Sequence, residues 1–480
     1  MKKFYIETLG CKVNQYESDG IGSSLEEKGY IRSKKNQPAD LCIINTCAVT
    51  SKAGMQSRQA IRKIIRNNPR AKIIVTGCHA QTDPDQIKKI ENIDFIVCHR
   101  DKTLIADQIP DHITDNITDN LDELNTDLNI DLNIDRNIVL NIDRNIAQEK
   151  KHIPSVAPEI FAFKKPDHSK NNQFFSFKNP VKGGMTRAYL KIQDGCNAFC
   201  TYCIVPHARG SSVSMPASEV FKHLDGLARS GFREVIITGI HTGMYGLDLN
   251  PPTSLLKLIT EIDFRKPVDR IRISSIEPGE INEGLIDLAE QGHILCDHFH
   301  IPLQSGDDEI LKKMKRPYST SFFKKMVLKI HEKLPFAGIG VDTLMGFPGE
   351  TDRQFENTFE LIEKLPISYL HVFPFSARKG TPAFHFDHKI DPGVIKERCT
   401  RMRQLDKNKR LSFIQANRGR KLQGLVQHNE DKQTGFLKAI TSNYLTILVE
   451  NKRKENESLK GKIVDLVYEQ CDKNLIGKII

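Results

Sequence analysis

The segment GCNAFCTYCIVPHARG, residues 195–210, sets Cys196, Cys200 and Cys203 in a CxxxCxxC spacing that constrains this chain more than any other feature. Three thiolates on one short loop can hold three irons of a four-iron, four-sulfur cluster, whereas a conventional cluster needs a fourth cysteine nearby. None follows closely, since the next cysteine is Cys296. A fourth iron without a protein thiolate keeps an open coordination position, the property that separates catalytic from structural metal sites. The competing readings are a zinc site or three unrelated buried thiols. Zinc sites are built from two pairs of ligands, and no second pair occurs here.

The chain has eleven cysteines in all. The N-terminal MKKFYIETLGCKVN does not read as a secretory signal, because Glu7, Lys12 and Asn14 interrupt any apolar run. A cytoplasmic location is therefore expected, where thiols serve metal ligation, catalysis or packing rather than a disulfide framework. No apolar stretch reaches the roughly 20 residues that cross a bilayer, so no membrane contact is expected.

The fold class read from the pattern is α/β in three parts joined by a linker. Residues 1–106 alternate apolar runs (FYIETLG, DLCIINTCAV, AKIIVTGC) with helix-like stretches, which predicts a parallel sheet with crossover helices. Cys11, Cys47 and Cys78 then stand at or just past the C-terminal ends of three strands, where open α/β sheets bind ligands. Residues 107–184 are expected to form a poorly ordered acidic linker. Asp111, Asp115, Asp119, Asp127, Asp131, Asp135 and Asp143 fall on a four-residue spacing there. Like charges so spaced repel along a helix, and Asn, Asp and Thr are weak helix formers. Residues 185–412 resume the alternation over a barrel-scale length, with AYLKI, EVIITGI, DRIRISS, FHIPL, AGIGVDTLMG and LHVFPF as strands. Residues 413–480 read as a small β-barrel built from GFLKAI, NYLTILVE and GKIVDLVYE.

The net charge is +10, yet Asp101–Lys150 holds twelve acidic against four basic residues, so the rest of the chain is more basic than the total indicates. That balance suits a polyanionic partner such as nucleic acid. The strip Lys396–Lys421 concentrates it, with ten Lys or Arg against two acidic residues. Arg398, Arg401, Arg403, Lys409, Arg410, Arg418, Arg420 and Lys421 are candidates for phosphate contacts, the alternative being a solvated helix face. Phe436 and Tyr444 either stack on bases or fill the core of the small barrel.

CNAFCTYC closely resembles the radical S-adenosylmethionine (SAM) motif. The segments TLGCKVNQYES, NTCAV and TGCHAQ resemble the three signatures of the methylthiotransferase N-terminal domain. The resemblance covers nearly the whole chain outside the acidic segment. It implies a central partial βα barrel of radical SAM type and a terminal TRAM-like RNA-binding barrel. It also implies two four-iron clusters, one on Cys196, Cys200 and Cys203 with SAM on its open iron, and an auxiliary one on Cys11, Cys47 and Cys78. Tyr202, Gly239, Ser275, Glu277 and Gln304 match SAM-side positions, though glycine and serine there also serve as ordinary turn residues. Cys42, Cys98, Cys296, Cys399 and Cys471 match no ligand position and read as buried or incidental thiols.

Within the family, TLGCKVNQYES and CNAFCTYCIVPHARG look most like the branch that methylthiolates C2 of N6-threonylcarbamoyladenosine at position 37 of tRNA. The resemblance further implies an electron donor such as flavodoxin or ferredoxin, and a sulfur source. Neighbouring branches, acting on isopentenyladenosine or on a ribosomal-protein aspartate, share most motifs. A non-catalytic iron-sulfur RNA-binding protein is the alternative from another class, although a trio that leaves one iron open makes a poor staple.

Overall fold

The computed structural model describes residues 1–107, 174–177, 185–450, 459–470 and 475–480. Cys471 and most of the expected linker, residues 108–173 and 178–184, lie outside the described residues.

β1 (Lys3–Thr8), β2 (Ile31–Arg32), β3 (Leu41–Thr46), β4 (Lys72–Gly77) and β5 (Phe95–Ile96) form one parallel sheet in the order β2-β1-β3-β4-β5. Every position of β3 is buried because the sheet is covered on both faces. Ile43 packs with Phe4 and Ile74 on one side, and Cys42 and Ile44 pack with Ile61, Ile73 and Val75 on the other. Two-sided burial explains why LCIINT is apolar without alternation. Helices Lys12–Glu27 and Ser51–Asn67 make the crossovers, the second capped by Thr50, whose hydroxyl accepts from the Ala53 amide at 3.0 Å.

The central region contains β6 (Arg187–Lys191), β7 (Gln193–Asp194), β8 (Val213–Ser214), β9 (Glu234–Thr238), β10 (Arg270–Ile273), β11 (His298–Gln304), β12 (Gly338–Met345) and β13 (Tyr369–Pro374). Two parallel three-stranded sheets, β10-β9-β6 and β11-β12-β13, are joined where Ile271 bridges Leu295. The result is an open, partial βα barrel whose strands follow chain order. Its inner face is polar. Register sets Arg187, Glu234 and Arg270 side by side, with Tyr189, Ile236 and Arg272 in the next row. In the other sheet, Pro302, Asp342 and His371 share one row, and His300, Gly340 and Tyr369 the neighbouring one. The alternate residues Leu190, Val235, Ile237, Ile271, Ile301, Val341 and Leu370 form the outer core.

β14 (Leu422–Glu430), β15 (Leu437–Thr441), β16 (Thr446–Val449), β17 (Ile463–Gln470) and β18 (Leu475–Ile479) close a barrel in the order β14-β15-β16-β18-β17. Its core is Val426, Leu437, Ala439, Ile447, Val449, Leu466 and Tyr468. The barrel does not begin at residue 413 as expected. A helix runs unbroken over Pro392–Ala416, and the first strand starts only at Leu422.

Two further expectations change. Residues 174–177 of the expected linker are packed: Phe177 is buried against Tyr16, and the Phe175 ring lies 3.6 Å from the Lys191 amine. Three aromatic rings in FFSF give this short piece an apolar area that the Asn- and Asp-rich stretch lacks. Tyr444, a candidate for base stacking, points instead into the base of the central barrel. Its ring is 4.5 Å from that of His298, and the Arg272 guanidinium lies 5.0 Å from its centroid. Phe436 is half-buried.

Candidate functional site

Cys11 is the N-cap residue of helix Lys12–Glu27, Cys47 directly follows β3, and Cys78 opens the short helix Cys78–Thr82 after β4. The three meet above the sheet. Gly10, at φ +103°, lets its loop fold over Cys47 so closely that an added Cβ would lie 2.9 Å from the Cys47 Sγ. Gly77, at φ +97°, leaves no room either, since a Cβ would lie 2.4 Å from the Thr46 carbonyl oxygen. Cys78 raises Cys11 electrostatically, and both raise Cys47. Burial pushes the Cys47 thiol up to about 11. The free thiol therefore stays protonated near neutrality, and metal binding must expel the proton.

The second trio sits on the loop between β7 and β8. The Cys196 Sγ lies 3.3 Å from His241 Nδ1 and accepts from the Ala198 amide at 3.4 Å. Cys200 Sγ accepts from Arg316 Nη1 at 3.2 Å. Burial pushes Cys203 up to about 12, and Cys200 and Cys196 push it the same way. Phe199 bends the loop in the left-handed region at φ +45°, with its ring exposed. Cys42, Cys296 and Cys399 are buried elsewhere, and among the described residues no other cysteine interacts with either trio.

The two trios adjoin. Ala48, Cys78, Ile204 and Ala208 pack as one buried cluster, so the residue after Cys47 and the residue after Cys203 touch the same core.

The SAM-side candidates stand on the loops and strand ends of the central barrel. Glu277 accepts from Arg316 Nη2, so it stands one hydrogen-bond step from Cys200. Tyr202 rests against the cluster of Ile310, Met314, Leu344 and Phe347. Gly239 directly follows β9, and a Cβ there would lie 2.9 Å from the Gln193 side-chain oxygen. Ser275 is half-buried beyond β10, and Gln304 closes β11 at φ +69° beside a bulge.

Sequence reasoning missed Arg316, His241 and Glu280, which pair around the trio; His241 Nε2 meets Glu280 at 2.6 Å. They stand in KRPY, GIHTG and EPGE, and nothing local reveals their pairing. The lumen triad was also missed. Asp342 meets His300 Nε2 at 2.9 Å and His371 Nδ1 at 3.2 Å. Burial raises the Asp342 carboxyl, but the two histidine contacts outweigh it and hold the group well below the usual carboxylate range.

Comparison with known proteins decides the family. Residues 3–98 match the model described as Uncharacterized protein family UPF0004, and residues 190–362 match the Radical SAM superfamily. The threonylcarbamoyladenosine tRNA methylthiotransferase of Bacillus subtilis (strain 168) is 35% identical over 95% of this chain and 91% of its own. That of Aquifex aeolicus (strain VF5) is 31% identical over 96% of this chain and 99% of its own. The chain belongs to the threonylcarbamoyladenosine tRNA methylthiotransferase family. A tRNA-2-methylthio-N(6)-dimethylallyladenosine synthase from Clostridium tetani (strain Massachusetts / E88) is 29% identical over 83% of this chain and 80% of its own. Among solved structures, the radical S-adenosylmethionine methyltransferase TsrM from Kitasatospora setae superposes with a TM-score of 0.53 at 15% identity, covering 80% of this chain and 77% of its own, a likeness of fold alone. Membership in a radical SAM methylthiotransferase family carries with it one four-iron cluster and SAM. No helix among the described residues is long and apolar enough to cross a membrane.

For this methylthiotransferase the basic strip divides into buried and exposed members. Arg398 leaves the RNA-binding set: it is buried, and its guanidinium meets Glu350 and Asp352 at 2.7 Å each. Its neighbours in sequence gave no sign of this because the partners lie more than forty positions away, in the turn and first residue that open helix Asp352–Lys364. Arg398→Ala would leave Glu350 buried and unpaired, with an expected loss on the order of 3 kcal/mol in chemical denaturation. Arg401 pairs with Glu356, Arg410 with Asp406, and Lys421 with Asp465 at the surface. Lys409 donates to the carbonyls of Glu363 and Leu365, and Arg420 lies 3.3 Å over the Phe336 ring. Arg403 and Arg418 are exposed.

Proposed function

We propose that this chain transfers a methylthio group to C2 of N6-threonylcarbamoyladenosine at position 37 of tRNA. The observation that carries the reading is the packing of two cysteine trios around one buried core, Ala48, Cys78, Ile204 and Ala208, in a chain whose full length resembles such enzymes. Both trios fit iron-sulfur clusters: each gathers three thiols, and backbone or guanidinium donors address Cys196 and Cys200. When bound, a cluster and SAM at Cys196, Cys200 and Cys203 would supply one-electron chemistry able to break an unactivated C–H bond, and a cluster at Cys11, Cys47 and Cys78 would hold the sulfur to be transferred.

The chain's own residues bind, orient and exclude water. Arg316 fixes the Cys200 side of the loop and is itself fixed by Glu277 and by the Tyr318 hydroxyl at 3.0 Å. Tyr202, Gly239, Ser275, Glu277 and Gln304 flank the space for SAM at the strand ends. The lumen row of His300, Asp342 and His371 offers hydrogen-bonding groups to the base. A closed terminal barrel, TRAM-like in strand number, and the exposed arginines beside it grip the RNA. Arg403→Glu and Arg418→Glu are expected to weaken tRNA binding and flatten its salt dependence. Each phosphate that is no longer neutralised should take about 0.8 off the slope of log K against log salt. Filter binding across a salt series measures this.

The decisive experiment is mass spectrometry of tRNA nucleosides from cells lacking the protein. The methylthio derivative of threonylcarbamoyladenosine should vanish while its precursor accumulates, and the chain supplied in trans should restore it. Loss of the methylthio isopentenyl nucleoside instead would move the assignment to that branch.

A further inference from the structure

We infer that Arg209, a residue of the radical SAM loop, is a positioning residue for the auxiliary site formed by Cys11, Cys47 and Cys78, so that this site is completed only by the docked central barrel. The inference rests on the reading of those three cysteines as cluster ligands.

Arg209 ends the short helix Val205–Arg209 that begins two residues after Cys203. Its guanidinium crosses into the N-terminal region. Nη2 donates to the Asn14 side-chain oxygen at 2.6 Å, and Nη1 donates to Glu17 and to Asp194, each at 2.9 Å. Asn14 in turn donates to the carbonyl of Leu9 at 2.7 Å and of Thr46 at 3.1 Å. Those carbonyls belong to the turns that present Cys11 and Cys47. Thr46 extends the chain to the third turn, donating to the Thr76 carbonyl at 2.6 Å and accepting from the Ala80 amide at 3.2 Å. One guanidinium thus stands at the head of a hydrogen-bond path that reaches the backbone of all three cysteine turns.

The charges around Arg209 point the same way. Glu17 meets Lys102 and lies 3.6 Å from Lys191, while Asp194 lies 2.8 Å from Lys191 and 3.3 Å from His99. All of these side chains are buried. Burial and the neighbouring Arg209 hold His99 down at about 4, which leaves it neutral. Arg209, Lys102 and Lys191 stand against two carboxylates, Glu17 and Asp194, and burial lowers the Lys102 amine, so the surplus positive charge is kept only where an anion lies near. An uncompensated buried charge is costly unless an anion lies near. The charge of Arg209 bears on Cys11, Cys47 and Cys78. An oxidised four-iron cluster on three thiolates carries a net charge of about −1, two positive charges on the core against three thiolates. The excess and the cluster therefore neutralise each other. A fixed positive charge beside a cluster also favours its reduced form.

The test uses the full chain after anaerobic reconstitution, as wild type, Arg209→Lys and Arg209→Gln. Iron analysis, EPR and potentiometric titration read each cluster separately, in backgrounds that lack one trio or the other. In Arg209→Gln the signal of the Cys196 trio and its response to SAM should persist, which reports an intact barrel. The auxiliary cluster should be lost or titrate at a lower potential than in wild type. In Arg209→Lys the charge remains without the two-pronged geometry, so auxiliary occupancy should fall while any remaining cluster keeps a near-native potential. Full auxiliary occupancy with an unchanged potential in Arg209→Gln would overturn the inference. Should Arg209→Gln lose both clusters, Arg209→Lys decides: unchanged auxiliary occupancy overturns the inference, and a selective fall supports it. A wild-type chain holding only about four irons rather than about eight would instead remove the reading on which the inference stands.

Discussion

Cys200→Ala is expected to abolish both SAM cleavage and tRNA methylthiolation, whereas Cys47→Ala should abolish the methylthio product and leave SAM cleavage in place. The contrast follows from how each thiol is held. At Cys200 the sulfur accepts from Arg316, and that guanidinium keeps Glu277 and Tyr318 when the sulfur is removed. No buried charge is stranded, so the substitution removes a ligand without unfolding the loop. At Cys47 the backbone is fixed independently of the thiol, since the Ser57 hydroxyl lies 3.2 Å from both the Cys47 amide and its carbonyl. The turn survives the change and only the auxiliary trio loses a member. After anaerobic reconstitution each variant should hold about four irons rather than about eight. Chromatography with mass detection then follows 5'-deoxyadenosine and the modified nucleoside together. If Cys47→Ala stopped SAM cleavage as well, the two trios would not be separable sites, and the division of labour between them would fall.

Much of this site was legible because its ligands announce themselves locally. CxxxCxxC lies on one loop, and Cys11, Cys47 and Cys78 each end an apolar run, so strand ends alone bring them to one edge. The supporting residues were not legible because they act across long separations. Arg209 meets Glu17 and Asn14 almost two hundred positions away, and Arg398 meets Glu350 in the turn before another helix. A basic residue read in isolation looks solvated, and only the fold reveals an acid facing it. One signal was present in the strands and went unread. RIRI in β10 and HFHI in β11 alternate charged or polar with apolar residues, and β6 repeats the pattern through Arg187, Tyr189 and Lys191. In a barrel strand this alternation means a polar lumen inside and an apolar layer under the helices outside. Tyr444 was misplaced for a related reason. Its segment reads as one more strand of a small barrel, but the turn of Thr441–Leu445 docks against residues of the central barrel, and pairing between domains leaves no periodic trace.

That docking carries a large expected effect on stability, from Glu234→Gln. Glu234 lies at the base of the lumen, where its carboxylate meets Arg270 Nε at 2.7 Å and Arg272 Nε at 3.0 Å, with Arg187 at 3.6 Å. Both arginines reach onward to the terminal barrel. Arg270 donates to the carbonyls of Ile440 at 2.9 Å and Gln423 at 3.3 Å, and Arg272 to those of Ser442 at 2.7 Å and Thr441 at 2.9 Å. One carboxylate therefore orients the two side chains that hold the terminal barrel against the central one. Glutamine keeps the shape and removes the charge, leaving the buried guanidinium groups without the carboxylate they bond, at an expected cost on the order of 3 kcal/mol. The acid limb of stability should change as well. Burial raises the Glu234 carboxyl, but Arg272, Arg270 and Arg187 outweigh it and hold the group down at about 2. A folded value below the unfolded one, about 4.3, means that the stabilisation is fully present above the unfolded value and is lost as pH falls toward 2. The variant should therefore be less stable than wild type at neutral pH, and the gap should narrow on acidification through that window. Loosened docking should also expose the joint between the domains. Arg418, Arg420 and Lys421 lie between the end of the helix at Ala416 and β14, a stretch held in place by a hydrogen bond of 2.9 Å between the side chains of Asn417 and Asn443. Trypsin should cut there faster in the variant. Equal cutting rates and an unchanged acid limb would mean that the terminal barrel is held by its apolar contacts and that the buried charges are incidental.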